Sequence, residues 1–391
     1  MMNFPDNIDH PGTENFSPAR MFGNLLRDEI AANPNFYFFS PDETTSNKLD
    51  AVFEVDNRAW ASKIFSWDKS LAPDGRIIEL LSENTLFAVL AGHLLSGGQG
   101  ALGSYEAFLP IVASQLDQHL KFLQQSKEIK WRPKYSALNL LSTSTCWRQD
   151  HNGFTHQNPS LISSLLAKPS NLTNCLFPVD DIASAAAWEF MTQTKNVVNL
   201  TTFNKTNEPH WIDINHARFQ LTNGGASIFS FASDPDPDII LTAAGDIVSK
   251  EMLFARNIVK TELPDLQLRF VGIAALSYGA IGTTENKLKP QDFDDYFTTD
   301  KPIIANFHSY PDTLRSILSR YADPDRLEVH GFEEQGSTTT PLDMLIRNRA
   351  SRFDLAIAIF KQANHPELAA QYQQQIDENT EYIKLYGVDK Y

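Results

Sequence analysis

The sequence has little cysteine, little positive charge and no long apolar run. Cys146 and Cys175 are its only cysteines, too few for a disulfide framework or a cysteine-rich metal cluster, so a reducing cytoplasm is expected. The 33 Lys and Arg against 48 Asp and Glu give a formal net charge of -15, which argues against nucleic acid or an anionic membrane as a partner. No apolar run approaches the ~20 residues of a membrane span. A signal peptide is not expected either, because the first residues lack a charged region followed by an apolar one.

The distribution of apolar residues predicts an α/β fold. The 391 residues, 42% hydrophobic and 21% charged, are enough for two or three globular domains. Short apolar segments alternate with helical patterns, which is typical of mainly parallel sheets flanked by helices. A stretch rich in Gly, Asp and Pro interrupts the pattern between residues 223 and 237. We therefore expect a linker or arm at 1–16, one α/β domain at 17–225 and a second at 237–391.

Two local expectations concern helices of the first domain. Ser17-Pro18 has the residue types of a helix start. Further along, helical patterns at 85–95 and 105–123 flank a Gly-rich loop at 96–100. On this interpretation Tyr105 and Phe108, three residues apart, lie on one helical face.

The stretch 146–157 concentrates polar side chains. Its twelve residues hold two His, two Gln, an Asp, an Arg and an Asn around a single Gly. It follows an apolar segment at 136–142 and precedes a helix start at Asn158-Pro159, which predicts a loop at the carboxyl end of a strand. Open α/β sheets bind their ligands there. A hydrogen-bonded loop without a ligand is the alternative.

Individual residues suggest chemistry. His151 and Asn152 can donate hydrogen bonds to a phosphate or to a developing oxyanion, and His156 can relay protons at a substrate hydroxyl. Glu83 follows an apolar strand and begins a helix. From the residues alone, its simpler interpretation is a glutamate favoured by the helix dipole, and Tyr105 and Phe108 are simply core aromatics.

Four segments resemble the phosphoketolases, thiamine-diphosphate enzymes that cleave ketose phosphates with inorganic phosphate. They are WRQDHNGFTHQ at 147–157, SPDETTSNKL at 40–49, SYEAF at 104–108 and GFEEQGSTTTP at 331–341. The segments occur in the family's order across nearly the whole chain. The tail GFTHQ is also similar to the GPTHQ loop of transketolases.

The resemblance implies a pyrimidine-binding domain followed by a transketolase-like carboxy-terminal domain, and it implies roles for ten residues. Glu83 corresponds to the carboxylate that hydrogen-bonds N1′ of the cofactor's aminopyrimidine, and Tyr105 and Phe108 flank that ring. His151 and His156 join Glu83 as catalytic residues. Substrate and phosphate would be bound by a set comprising Ser46, Lys48, Gln149, His151, Asn152 and Lys205.

The sequence also departs from the family pattern. Lys48 stands where the family has Arg, which loses a bidentate donor. The residues around Lys205 differ from the family's AGKQP, and 96–100 lacks the Arg and His of a TGRHG loop. The family's Gly-Asp-Gly motif, which holds Mg²⁺ and the cofactor diphosphate, is absent; Gly245-Asp246 is followed by Ile247. We therefore expect no metal ligands in this chain, with Mg²⁺ held by an amino-terminal domain that it lacks.

The implied activity is that of an aldehyde-lyase of carbohydrate metabolism. Xylulose 5-phosphate or fructose 6-phosphate would react with inorganic phosphate to give acetyl phosphate and an aldose phosphate. We expect the chain to be inactive alone and to form a homodimer, with the amino-terminal portion on a separate subunit as one option. Two alternatives stay open: a transketolase-like enzyme half that uses an aldose acceptor, and a non-catalytic dimerisation or regulatory relic.

Overall fold

The computed structural model describes residues 4, 5 and 7–391. Contacts divide the chain into two compact units, and the second inserts into the sequence of the first. The first unit contains the residues up to Thr145 together with Lys168–Phe219, and the second contains Cys146–Ala167 together with Gln220–Tyr391. Within the described residues, no helix combines the length and apolar character needed to cross a membrane.

Twelve helices and seventeen strands make up the described chain. The helices are α1 Pro18–Ala32, α2 Glu83–Leu95, α3 Ala113–Ser126, α4 Ser160–Leu166, α5 Asp181–Gln193, α6 Ile214–Thr222, α7 Asp246–Glu262, α8 Pro290–Phe297, α9 Pro311–Leu318, α10 Pro341–Arg347, α11 Arg352–Gln362 and α12 Pro366–Tyr386. The strands are β1 Asn15–Phe16, β2 Phe36–Ser40, β3 Arg58–Ala59, β4 Leu71–Ala72, β5 Ile77–Glu79, β6 Gln99–Tyr105, β7 Leu138–Thr143, β8 Thr173–Leu176, β9 Val198–Thr202, β10 Glu208–Pro209, β11 Ala226–Ile228, β12 Ile239–Ala244, β13 Leu268–Ile273, β14 Ala275–Ser277, β15 Ala280–Ile281, β16 Ile303–Phe307 and β17 Leu327–His330.

The first unit is built on a parallel sheet. Its strands pair in the order β8-β9-β7-β6-β2-β5-β3-β4, and every pair is parallel. The strands β7, β8 and β9 are buried along their whole length, as expected for a sheet covered on both faces. The short β1 pairs antiparallel with β10.

A row of buried asparagines crosses this sheet. Asn174 on β8 and Asn139 on β7 both lie opposite Asn199 on β9. The Asn174 amide donates to Asn199 Oδ1 at 2.9 Å, and the Asn199 amide donates to Asn139 Oδ1 at 2.8 Å. Because a shift of one residue would leave these buried amides unpaired, the row fixes the register of the three strands.

The second unit contains a smaller sheet with the order β11-β13-β12-β16-β17. The strands β13, β12, β16 and β17 pair in parallel, and β11 adds to β13 in antiparallel fashion. The chain passes from β12 through α7 to β13 on one side and later to β16 and β17 on the other. The two units confirm the predicted α/β class, in which each domain has a mainly parallel sheet and flanking helices.

Many local predictions are confirmed. Ser17 caps α1 by accepting a hydrogen bond from the Arg20 N–H at 3.3 Å. The polar stretch follows β7, and α4 begins just after Asn158, whose side chain accepts from the Ser160 N–H at 3.0 Å. A loop between a strand and a helix is therefore what the structure shows.

The predicted helix at 105–123 was wrong at its start. Gln99–Tyr105 is the strand β6, in the middle of the sheet, and α3 begins only at Ala113. Tyr105 and Phe108 therefore do not share a helical face. The strand was missed because it contains Gly100 and Gly103 and has no alternating pattern. Small residues are needed here, since a Cβ at Gly100 would lie 2.5 Å from the Tyr37 carbonyl oxygen.

Candidate functional site

The loop after β2 presents polar side chains at the carboxyl end of the parallel sheet. Ser40, the last residue of β2, accepts a hydrogen bond from the Glu43 N–H at 3.3 Å, and the Asn47 N–H donates to the Glu43 carbonyl at 2.9 Å. Lys48 takes a positive φ of 63°, which reverses the chain. The sequence SPDETTSNKL thus folds into a compact turn that carries Glu43, Ser46 and Lys48.

Glu43 is the carboxylate that this turn places at the end of β6. It accepts a hydrogen bond from the Tyr105 N–H at 2.9 Å. Burial raises the pKa of Glu43 to about 7, and the nearby charge of Glu83 adds to the rise, against the lowering effect of the Tyr105 hydrogen bond. The carboxyl group of Glu43 is therefore able to hold a proton near neutral pH.

The sequence did not single out Glu43. It lies within SPDETTSNKL, three residues before Ser46. Nothing in its local pattern marks its contact with the end of β6, because no strand was predicted at 99–105. Its place in a segment that resembles the phosphoketolases was the one available signal.

Tyr105 connects the turn to its surroundings. Its hydroxyl donates to Ser46 Oγ at 3.0 Å, and its ring is stacked with that of Phe108, with centroids 5.9 Å apart and planes 8° apart. Lys205 Nζ lies 5.2 Å from the Tyr105 ring centroid, within the range of a cation–π interaction. One aromatic residue thus contacts a hydroxyl, a second ring and a cation.

A hydrogen bond from Ser17 anchors the backbone of Lys205. Its carbonyl accepts a hydrogen bond from the Ser17 hydroxyl at 3.1 Å. Burial lowers the pKa of Lys205 and the charge of Lys48 lowers it further, while Glu43 opposes both. Two ammonium groups that repel each other form a local positive site in an acidic chain, and an anion placed between them would relieve the repulsion.

Glu83 begins α2, where Ser82 is the N-cap and accepts a hydrogen bond from the Thr85 N–H at 3.3 Å. Its carboxylate is partly exposed. Because it is close enough to Glu43 to raise the pKa of that group, it belongs to the same cluster. The cluster comprises six residues, namely Glu43, Ser46, Lys48, Glu83, Tyr105 and Lys205, and we call it the carboxylate–lysine cluster.

The polar loop 146–157 belongs to the second unit. The N–H groups of Asn152 and Gly153 both donate to the Gln149 carbonyl at 3.2 Å, so the loop turns at His151-Asn152 and exposes both side chains. His156 Nδ1 lies 2.9 Å from Thr155 Oγ1. The Gln149 side chain is fully buried, and neither of its amide atoms has a hydrogen-bond partner among the described residues. A polar group next to that amide would satisfy it.

The structure therefore places the ten predicted site residues in two groups. Ser46, Lys48, Glu83, Tyr105 and Lys205 lie in the carboxylate–lysine cluster, and Phe108 stacks on it. Gln149, His151, Asn152 and His156 lie on the polar loop of the second unit.

Comparison with known families decides the identity. Residues 20–192 match the model of D-xylulose 5-phosphate/D-fructose 6-phosphate phosphoketolase, and residues 205–391 match the model of the C-terminal domain of the same family. The chain belongs to the phosphoketolase family. Within the family it is similar to a probable phosphoketolase of Thermosynechococcus vestitus, with 37% identity over 98% of this chain and 49% of the relative. A probable phosphoketolase of Nostoc is 38% identical over 98% of this chain and 50% of the relative.

The chain thus spans about half the length of these phosphoketolases, and that half includes the family's C-terminal domain. Solved transketolases share the fold. A Pichia stipitis transketolase matches with a TM-score of 0.71 and 15% identity over 95% of this chain and 49% of that one. A chain described as a split-gene transketolase, an inactive β4 tetramer, matches with a TM-score of 0.61 and 14% identity over 90% of this chain and 99% of that one.

Proposed function

We propose that the chain supplies the pyrimidine-binding domain (17–225) and the C-terminal domain (237–391) of a thiamine-diphosphate-dependent phosphoketolase. The assembled enzyme would cleave xylulose 5-phosphate or fructose 6-phosphate with inorganic phosphate, and would release acetyl phosphate and an aldose phosphate. The observation that carries the proposal is the carboxylate–lysine cluster, in which residues of two family-like segments, 40–49 and 104–108, lie together with Glu83 and Lys205.

The side chains of the first unit fit the aminopyrimidine of the cofactor. Such a ring requires a carboxyl group for its ring nitrogen and an aromatic face for its plane. Glu83 offers the first, and the stacked pair Tyr105 and Phe108 offers the second. When bound, thiamine diphosphate supplies the carbon nucleophile for cleavage of the ketose. The role of Glu83 is to hold a proton at the ring nitrogen, and Glu43 next to it helps to set how readily that proton is held.

The remaining polar groups are suited to phosphate. Lys48 and Lys205 supply positive charge, and Ser46 supplies a hydroxyl that already accepts a hydrogen bond from Tyr105. On the polar loop, His151 and Asn152 are exposed and can donate to phosphate oxygens. His156 is suited to moving a proton at a substrate hydroxyl. Gln149, with its buried and unpaired amide, would donate to or accept from bound substrate.

We further propose that activity requires the portion of a phosphoketolase that the relatives carry beyond this half. That portion would hold Mg²⁺ and the cofactor diphosphate. We propose that this chain forms a homodimer and that a separate subunit is one way to supply the portion. Two observations support this: the relatives are about twice as long, and a split-gene transketolase chain of similar extent is described as inactive.

Acetyl phosphate formation tests the proposal. The purified chain is mixed with fructose 6-phosphate, inorganic phosphate, thiamine diphosphate and Mg²⁺, alone and with a separately expressed amino-terminal half of the Nostoc relative. We expect product only in the complemented mixture. Product from the chain alone would refute the requirement for a second portion. A soluble complex that forms but makes no product would favour the non-catalytic relic.

A further inference from the structure

The segment 331–341 resembles the phosphoketolases as closely as the polar loop does, yet it contributes no residue to the proposed chemistry. It begins directly after β17. The segment and the polar loop both belong to the second unit. Two sets of contacts indicate a structural role for the segment. One joins the polar loop to the sheet of the second unit, and the other joins the polar loop to the segment 331–341.

The first contact is at the sheet. Strand order reverses between β12 and β16, so the crevice where open α/β sheets accept ligands lies between their carboxyl ends. Gly245 and His308 follow these two strands, and a Cβ at Gly245 would lie 2.8 Å from the His308 Cβ. The Trp147 indole N–H donates to the His308 carbonyl at 2.9 Å. The chain's own tryptophan therefore bonds to the backbone at the carboxyl end of β16, beside this crevice.

Trp147 is also packed on every side. It is 0% exposed and meets the Phe332 ring edge to face, with centroids 5.7 Å apart and planes at 90°. Cys146, Ile247 and Val248 complete the apolar surroundings with other buried residues. Because the polar turn begins two residues later, this anchor fixes one end of the loop.

The second contact is with the segment itself. The Thr339 N–H donates to the Asp150 carbonyl at 3.1 Å. The Gln157 amide donates to the carbonyls of Gln149 at 2.9 Å and Ser337 at 3.0 Å. A Cβ at Gly336 would overlap the Phe154 ring, so this position must lack a side chain. The turn at His151-Asn152 is thus held on both sides.

We propose that the crevice of the second sheet and the segment 331–341 form a two-sided clamp that positions His151 and Asn152 for phosphate. Trp147 and Gln157 are the positioning residues of this clamp, and neither needs to touch phosphate. The role of the clamp in phosphate binding rests on the proposed phosphoketolase activity. The existence of the clamp does not, since its contacts all lie within the second unit of the chain.

Hydrogen exchange of the purified chain tests the clamp. Trp147→Phe removes the indole donor and keeps an apolar ring, and Gln157→Met removes the amide donors. Trp131→Phe is the control, because that tryptophan is 81% exposed. We expect amide exchange in peptides covering 149–157 and 337–340 to become about threefold or more faster in both variants and to stay unchanged in the control. Unchanged exchange in both variants, with circular dichroism like that of wild type, would overturn the proposal.

The complemented enzyme supplies the second readout. A loop that is mispositioned but intact should raise the KM for inorganic phosphate about fivefold or more and leave the KM for fructose 6-phosphate nearly unchanged. An equal loss of activity at all phosphate concentrations would indicate a merely structural residue and would overturn the positioning role. If the wild-type mixture makes no product, the proposed function fails, and the exchange measurement still decides whether the clamp exists.

Discussion

The two groups of site residues are built in different ways. In the carboxylate–lysine cluster, Tyr105 is the last residue of β6 and Glu43 lies three residues after β2. Most of the contacts in the cluster involve side chains and charges, and the Tyr105 N–H adds a backbone hydrogen bond to Glu43. In the polar loop, the turn at His151-Asn152 makes its hydrogen bonds through backbone carbonyls, and its buried anchors are Trp147 and Gln157. The first group is fixed by the register of a sheet and the second by a few specific clamps.

This difference determines what mutation should do. Changes in the cluster should alter charge, proton affinity and anion binding, while the fold remains because the sheet holds the backbone. Changes in the polar loop should alter its local order, because a small number of contacts maintains its shape. The four predictions below separate these two kinds of effect, and all rates refer to the complemented enzyme.

The largest effect is expected from Glu83→Ala. In the proposed function this carboxyl group holds a proton at the cofactor ring, so its removal should lower kcat about 100-fold or more, the scale of a lost general acid–base contribution. Acetyl phosphate formation measures it. Glu128→Ala, at an exposed position, is the matched control and should behave like wild type. A Glu83→Ala enzyme with normal turnover would remove this residue from the mechanism.

A smaller effect is expected from Lys205→Met, which keeps the length of the side chain and removes its charge. Loss of a charged donor to phosphate is worth about 1.5–3 kcal/mol, so the KM for inorganic phosphate should rise about 10-fold to 100-fold. Initial rates against phosphate concentration provide the measurement, with Lys130→Met at an exposed position as control. An unchanged KM would show that Lys205 does not face phosphate.

Glu43→Gln should change how stability depends on pH. The native pKa of about 7 lies above the ordinary 4.5, so the folded state retains a proton that the unfolded state releases. The unfolding free energy of wild type should therefore fall as pH rises from about 4.5 to 7, by about 3 kcal/mol at most.

A glutamine side chain at this position cannot ionise, so the Glu43→Gln variant should lack this fall. Urea unfolding at several pH values tests it, and Glu128→Gln should keep the wild-type profile. Parallel profiles for wild type and Glu43→Gln would contradict the raised pKa.

The smallest effect is expected from Gly153→Ala in the polar loop. Gly153 has φ 79°, and a Cβ would lie 2.7 Å from Thr338 Oγ1. Gly97 has φ 93° and open space around it, so Gly97→Ala shares the backbone strain without the contact. Each variant should lose about 1 kcal/mol of stability from the positive φ.

Only Gly153→Ala should also accelerate amide exchange in residues 149–157, because its Cβ pushes against the segment 331–341. Exchange mass spectrometry of the two variants provides the comparison. Equal exchange in both would show that the loop tolerates movement at Thr338.

Much of the fold could be predicted from the sequence, because long parallel strands are nearly continuous apolar runs. The strand β7, for example, was predicted at 136–142, within about two residues of its observed bounds. The strand β6 could not be found in this way, since Gly100 and Gly103 interrupt its apolar run and pack closely against residues of β2. Periodicity carries no signal for such a strand.

The candidate site was predicted only in part, for a related reason. Residue type and resemblance pointed to Lys205 and His151, but the burial that raises the pKa of Glu43 is a tertiary property. Likewise, nothing local to Trp147 shows that its indole reaches the His308 carbonyl, 161 residues further along the chain. Sequence identifies groups that can react, and the three-dimensional structure identifies those that position them.

The most direct test of the central claim is a competition between acceptors. The complemented chain is given fructose 6-phosphate with equal concentrations of inorganic phosphate and ribose 5-phosphate, and both products are quantified. A phosphoketolase site predicts that acetyl phosphate is the dominant product and that its formation depends on Lys205. Transfer of the two-carbon unit to ribose 5-phosphate, with little acetyl phosphate, would contradict the account and identify a transketolase-like enzyme half.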